Sequence, residues 1–384
     1  MTKEPDLEAL NIADLRALAQ KRLPKGLFEF VDRGTEDEVA LLNNRAALDR
    51  IKLRPRVLVD VSRRESKTNL FGRELPLPII IAPTGMADLM WFHGELALAR
   101  AAARAGIPFT LATSSTTPFE QVSKTLNAPF WFQMYMWDDR EQSHAIMNRA
   151  RAAGADTLLL TVDTAVFANR EFNRRNGFTN PLLNRRFALD IAIHPRWSLG
   201  VMGRYLLEGG MPRFANYPEH LRSNITRAPA RLANSASVTW QDVARLRERW
   251  PGRLLLKGVL APQDALLAVE HGVDGIVVSN HGGRNLDAAV APIDVLAEIV
   301  AAVSGRIAVL YDSGIRRGTD IVKALALGSD AVLIGRATLF GLAAGGESGA
   351  SRAIAILHEE LTRTLALIGA QGINDLTPAC VYAA

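Results

Sequence analysis

Cysteine is almost absent: Cys380 is the only one in 384 residues. No intrachain disulfide can form, and a disulfide-stapled secreted scaffold is excluded. No uninterrupted apolar run approaches the ~18 residues that a membrane-spanning helix needs. The opening MTKEPDLEAL holds three acids in eight positions, where a secretory leader would carry a basic and then an apolar stretch. No His/Cys cluster has metal-ligand spacing, so no metal site is expected. These absences point to a reducing compartment, most simply the cytoplasm. Hydrophobic residues make up 48% and charged residues 22%, the balance of a folded globular protein and too apolar for a disordered chain.

The formal charge of +5 is concentrated in one place. Between Asn180 and Leu232 stand eight arginines, no lysine and three acids, a surplus equal to that of the whole chain. No nucleic-acid-binding motif accompanies it, so no nucleic-acid partner is expected. Trp197, Tyr205, Leu206, Leu207 and Met211 are interspersed with the arginines. That mixture has two readings: a solvated excursion or active-site lid, and a surface that meets anionic lipid.

Eight short, nearly continuous apolar runs have the pattern of parallel strands buried on both faces. They are Pro78–Pro83, Ile107–Leu111, Pro129–Gln133, Thr157–Val162, Arg253–Gly258, Asp274–Ser279, Arg306–Tyr311 and Asp330–Ile334. Helical patterns such as GELALARAAARAG and GTDIVKALALG lie between them, several ending in glycine. The start-to-start spacings are 29, 22, 28, 96, 21, 32 and 24 residues, and six of the seven suit one βα unit. The expected architecture is an α/β (β/α)8 TIM barrel, read as a single domain over 1–384. It carries a helical N-terminal extension over 1–77 and a basic lid or membrane-facing insertion over 180–240, after the fourth strand.

Barrel enzymes place their chemistry at the C-terminal strand ends. Those ends deliver Pro83, Thr84 and Gly85, then Gln133 and Tyr135, then Thr161 and Asp163, then Lys257. The sixth strand runs into Ser279 and the sequence SNHGGR with His281 and Arg284; the seventh gives Asp312, Gly314 and Arg316, and the eighth Gly335 and Arg336. Gly-rich turns entering helices, each with an arginine, predict a phosphate site at the last two loops. His281 is the histidine whose setting fits acid–base work, with Asp163 as its ionic partner. The other six histidines receive no role.

The motifs SNHGGRNLD, DSGIRRGTDIVKALALG, LIGR, LTVDT, VKGV, IAPTG and LPKGLFEFVDRGTEDE resemble the FMN-dependent (S)-2-hydroxy-acid oxidase and dehydrogenase family, from about Leu23 to Phe340. HPRWSL, GMPRFANY and GRATLFGLAAGGESG are most similar to its mandelate and membrane-associated lactate dehydrogenase branch. The resemblance implies FMN as cofactor and a small 2-hydroxy acid as substrate. It implies His281 as the base, Asp163 stabilising its charged form, Arg170 and Arg284 clamping the substrate carboxylate, and Tyr135 hydrogen-bonding near the reacting carbon. Lys257 would stand by the flavin edge that gains charge on reduction. Thr84, Gly85, Gln133, Thr161 and Ser279 would hold the ring, and Asp312, Gly314, Arg316, Gly335 and Arg336 the ribityl chain and phosphate. A homo-oligomer, tetrameric in many relatives, is also implied.

Three positions depart from the usual pattern. Phe30 replaces a tyrosine that touches the substrate carboxylate, a missing donor worth ~1–3 kcal/mol if nothing replaces it. Ala112 stands where many members have a flavin-contacting serine, and Ser114 where short-chain oxidases often carry tryptophan. Gly85 matches the dehydrogenase branch, where many oxidases have alanine. Transfer of electrons to a quinone or other carrier is therefore the first reading, and transfer to O2 with release of peroxide the alternative. An FMN-dependent isomerase and a non-catalytic flavin-binding barrel are rivals from other classes. The expected location is cytoplasmic, including the inner face of the cytoplasmic membrane.

Overall fold

The computed structural model describes residues 7–178, 185–222 and 234–382. Eight strands form one parallel sheet: β1 (Ile79–Ile81), β2 (Thr110–Ala112), β3 (Phe130–Met134), β4 (Ala155–Thr161), β5 (Arg253–Val259), β6 (Gly275–Val278), β7 (Ala308–Tyr311) and β8 (Ala331–Ile334). Neighbours in sequence are neighbours in space from β2 to β8, and β8 pairs in parallel with β1. A single parallel bridge between Ile81 and Phe109 joins β1 to the approach to β2 and closes the ring. All eight sequence-predicted runs become strands. Their ends differ by a few residues where polar groups or proline start the run.

Because side chains alternate along a strand, every second residue points inward. The inward positions at the closed end are Ile80, Trp131, Leu159, Leu255, Val277, Leu310 and Leu333, all buried together in one cluster. They form a packed plug rather than a pore.

The N-terminal extension is helical only as far as Arg50, in α1 (Ile12–Arg22), α2 (Lys25–Asp32) and α3 (Val39–Arg50). Asn11 starts α1 by accepting a hydrogen bond from the Asp14 amide at 2.9 Å. The expected helical character fails over 51–77. There, Thr68–Leu70 and Arg73–Leu75 form an antiparallel hairpin whose Leu70 and Leu75 join the plug. Apolar residues spaced for a two-sided turn had left no helical stripe, so the hairpin corks the barrel floor.

The excursion between β4 and β5 packs back onto the barrel. Trp197, Val201 and Tyr205, four apart on one helical face, are buried. Trp197 Nε1 donates to the Leu89 carbonyl at 2.7 Å, and the Tyr205 hydroxyl accepts from the His93 amide at 2.9 Å. The return leg is pinned by the Ala215 amide on the Ser115 carbonyl at 3.1 Å. Arg227 and Arg231 of the basic segment lie outside the described residues.

Candidate active site

The barrel's alternation builds the site directly. Two residues beyond each plug residue, the next inward position is polar or small: Gln133 follows Trp131, Thr161 follows Leu159 and Lys257 follows Leu255. In the same way Ser279 follows Val277, Asp312 follows Leu310 and Gly335 follows Leu333. Above this layer lies a cavity of about 210 Å³ that opens to solvent. Every site residue singled out from the sequence lines it except Asp163 and Ser279, which stand directly behind.

Asp163 touches His281 with Oδ1 at 3.0 Å and Oδ2 at 3.2 Å from Nδ1. That carboxylate fixes the proton on Nδ1 and leaves Nε2 as the basic nitrogen. Burial pushes the His281 pKa below its ordinary 6.5; Asp163 opposes this, and Lys257 and Arg170 reinforce it. Burial also acts to raise the Asp163 pKa, but His281 and Lys257 outweigh it and hold the carboxyl below 3.8. The pair is therefore a neutral imidazole beside an anion at neutral pH. Two backbone features make it possible. His281 sits at φ +60°, a left-handed conformation uncommon for residues other than glycine. At Gly258, with φ +110°, a Cβ would come 2.6 Å from Asp163 Cβ, so glycine leaves the room Asp163 occupies.

If His281 is the base, it works only when unprotonated, so kcat/KM should fall as pH falls through its folded-state pKa. A plot of kcat/KM against pH should show its acid limb below 6.5; a limb above that value contradicts the assignment.

Positive charge dominates the rest of the cavity. Lys257 is buried, donating to Ser279 Oγ at 2.9 Å and paired with Asp312 Oδ2 at 2.9 Å. Burial works to lower its pKa, but Asp312 and Asp163 outweigh that and hold it above 10.5. Burial, with repulsion from Arg170 and Arg336, pushes Arg284 well below its usual range. Arg316 and Arg336 are pushed down to about 9 and about 10, burial being the main cause. Arginines crowded in this way call for an anionic ligand.

The two glycine turns differ. The helix after β7 (Gly318–Ala326) already spends its N-terminal amides on acids: Arg316 and Arg317 N–H on Asp320, and Gly318 N–H on Glu360. The helix after β8, starting at Arg336, has no side-chain cap. The helix opening after β8 thus leaves its first amides without a side-chain acceptor, beside the Arg316 side chain in the same cavity. Arg336 is largely committed elsewhere, donating to Val31, Gly282 and Arg33 carbonyls. Arg284 likewise reaches the Phe30 carbonyl at 2.8 Å.

Three supports received no role from the sequence, although two of them, Asn280 and Ser313, stand at the predicted strand ends. Ser313 Oγ accepts from the Gly282 amide at 3.0 Å and donates to Asp312 Oδ1 at 2.8 Å. Asn44 of α3 and Asn280 exchange reciprocal amide bonds at 2.8 and 2.7 Å, holding the His281 loop from the extension. The one available signal was a buried asparagine on an otherwise apolar helix face. Phe30 stacks on Phe178 at 4.8 Å between centroids and covers one side of the cavity, so its ring replaces the missing hydroxyl with an apolar wall.

The fold and this cavity define a barrel enzyme whose strand ends gather buried arginines and a lysine beside a histidine–aspartate pair. The family profile described as FMN-dependent dehydrogenase matches residues 19–383, and the chain belongs to that family. It is 43% identical to an (S)-mandelate dehydrogenase of Pseudomonas putida, over 96% of this chain and 92% of that protein. It is 41% identical to an L-lactate dehydrogenase of Pectobacterium atrosepticum, over 95% of this chain and 94% of that one. Among solved structures, a monotopic membrane protein, (S)-mandelate dehydrogenase, superposes with a TM-score of 0.91 at 40% identity, covering 98% of this chain and all of that one. The chain is accordingly an FMN-dependent oxidoreductase acting on CH–OH donors.

Proposed function

We propose that this protein oxidises an (S)-2-hydroxy acid to the 2-oxo acid through the residues described above, passing electrons to a quinone or similar carrier at a membrane surface. The overall reaction is that of the family. The observation that carries the residue assignment is the His281–Asp163 pair facing a cavity ringed by buried arginines.

FMN, when bound, supplies the two-electron acceptor. The residues present fit it: Lys257 offers a buried cation over the plug, Gln133 and Thr161 offer polar edges, and Arg316 with the uncapped β8 turn suits the phosphate. Gln133 Nε2 donates to Thr161 Oγ1 at 2.9 Å, which holds both groups in one orientation. Arg170 and Arg284 would take the substrate carboxylate, since a planar guanidinium matches two oxygens. Tyr135, its hydroxyl kept protonated by burial and by Asp163, would donate to the substrate oxygen. His281 Nε2 would accept a substrate proton, and Asp163 would stabilise the cation that forms. An anaerobic screen of aliphatic and aromatic 2-hydroxy acids against the FMN-loaded protein tests the reading. Lasting bleaching by the (S) but not the (R) acids supports it, and colour unchanged by every acid overturns it.

Membrane contact is supported by the outer face of the excursion. Leu189, Ile193, Leu199 and Leu206 are 64–72% exposed, and Leu207 is 88% exposed. Within the run Pro195–Leu207, spacing puts Leu199, Leu206 and Leu207 away from the buried Trp197–Val201–Tyr205 face, and Leu189 and Ile193 add exposed apolar surface from the preceding helix and turn. No helix among the described residues is long and apolar enough to cross a membrane, so the contact would be peripheral. Leu199→Asp with Leu206→Asp should abolish flotation with anionic vesicles while FMN content stays unchanged. Equal flotation of variant and wild type would contradict this surface. A carrier dissolved in the bilayer would then meet the enzyme where it docks, and little peroxide should form during turnover in air.

A further inference from the structure

Two carboxylic acids lie buried outside the reaction centre and, among the described residues, make no hydrogen bond or ion pair with lysine or arginine. Asp88, in the short turn after β1, is 3% exposed, and Glu95, in the first turn of the following helix (Gly94–Ala105), is 1% exposed. They grip the same few residues. Asp88 Oδ1 accepts from the Glu95 amide at 2.9 Å, and its Oδ2 accepts from the hydroxyls of Thr116 at 2.6 Å and Thr117 at 3.2 Å. Glu95 Oε2 accepts from the amides of Thr116 at 3.1 Å and Thr117 at 2.9 Å, and from the Ser115 hydroxyl.

The segment they hold has two duties. On one side Ser114 forms part of the cavity wall, its Oγ so close to Gly85 that a Cβ there would meet it at 2.1 Å. On the other, the Ser115 and Thr117 carbonyls receive the Ala215 amide and the Asn216 side chain at 3.1 and 2.9 Å. The excursion's outward helix is tied to the same turn through Leu89–Trp197 and His93–Tyr205.

We propose that Asp88 and Glu95 act as one positioning pair that holds the Ser114 wall of the cavity and both legs of the excursion in register while one of the two stays protonated, and that ionisation of the second carboxyl loosens them. The physical reason is that two buried carboxylates cannot both ionise in a dry space. Burial is the main cause that raises both, and repulsion from Asp88 adds to it at Glu95, which is pushed up to about 8. The surrounding elements offer little to neutralise a second charge. The 113–117 segment presents only hydroxyls and amides. His93 draws Asp88 down weakly from the solvent side, where Glu208 stands 3.5 Å from it. The Tyr205 phenol stays protonated, its pKa raised by burial and by Asp88 and Glu95. Arg204 is stacked on Phe92 at 3.8 Å. Below about 8 Glu95 keeps its proton and the segment is held; above it a second buried charge forms and the hold weakens.

The test compares the FMN-loaded wild type with Asp88→Asn and Glu95→Gln, each of which removes one of the two charges. The first readout is kcat/KM for (S)-mandelate and (S)-lactate with a dye acceptor across the alkaline range. Wild type should lose activity above a limb near 8, approaching about tenfold per further pH unit, mainly through KM. Both variants should keep near-normal activity at neutral pH and lack this limb. The second readout is exchange of the Thr116 and Thr117 amides, corrected for intrinsic base catalysis. It should accelerate through the same pH in wild type alone, and one variant that folds suffices for the comparison. Limbs and exchange unchanged in the variants would overturn the pair. The inference rests on the cofactor reading of the cavity only for the kinetic readout. A protein that oxidises no acid yet shows the exchange transition would sink that reading and uphold the pair.

Discussion

Replacing His281 by asparagine should lower kcat/KM by roughly 10²–10⁴-fold, the usual contribution of a positioned general base, with FMN content unchanged. Asparagine is the informative choice because the residue occupies φ +60°, which Asn tolerates better than most side chains. The backbone amide would keep its 3.0 Å bond to Ser279 Oγ, so the loop that carries Gly282 and Gly283 should hold its shape. What disappears is the basic nitrogen opposite Asp163. Stopped-flow bleaching of the bound cofactor measures the loss without depending on the acceptor. A variant that bleaches at the wild-type rate would remove His281 from the chemistry.

Lys257→Met should destabilise the protein by ~3–5 kcal/mol, because it leaves Asp312 buried and unpaired above an apolar plug. Lys257 and Asp312 are 6% and 10% exposed at the side chain, so water cannot replace the lost partner cheaply. The double variant Lys257→Met with Asp312→Asn should recover much of that loss in denaturant unfolding, since neither charge then remains. Activity should not recover in the double variant, as the cation above Leu255 is missing in both. Equal stability losses in the single and double variants would show that the pair is solvated after all.

Much of this site could be read from the chain because barrel geometry converts strand ends into an address. Lys257, Gln133 and Asp312 each follow a buried apolar run by a fixed step, and alternation alone turns them inward. His281 was distinguishable from six other histidines by the glycines and arginine that follow it. Supports arriving from distant segments were not legible. Asn44 meets Asn280 across 236 positions, and no local pattern encodes that meeting. The two glycine turns after β7 and β8 also looked alike in sequence; Asp320 and Glu360 close one of them, and Glu360 comes from a helix 42 residues downstream. The hairpin over 68–75 escaped notice because its two three-residue strands are too short to show a period.

The Asn44–Asn280 clasp bears on biosynthesis. The loop bearing the imidazole is braced by a segment made among the first fifty residues, while the strand that seals the cylinder and the helix behind Arg336 emerge last. A nascent chain can therefore bury its early helices long before any catalytic geometry exists, and incomplete translation products should be inert toward substrate. Contacts of such long sequence separation also impose a late, slow step, so recovery of turnover after dilution from denaturant should trail recovery of helical signal.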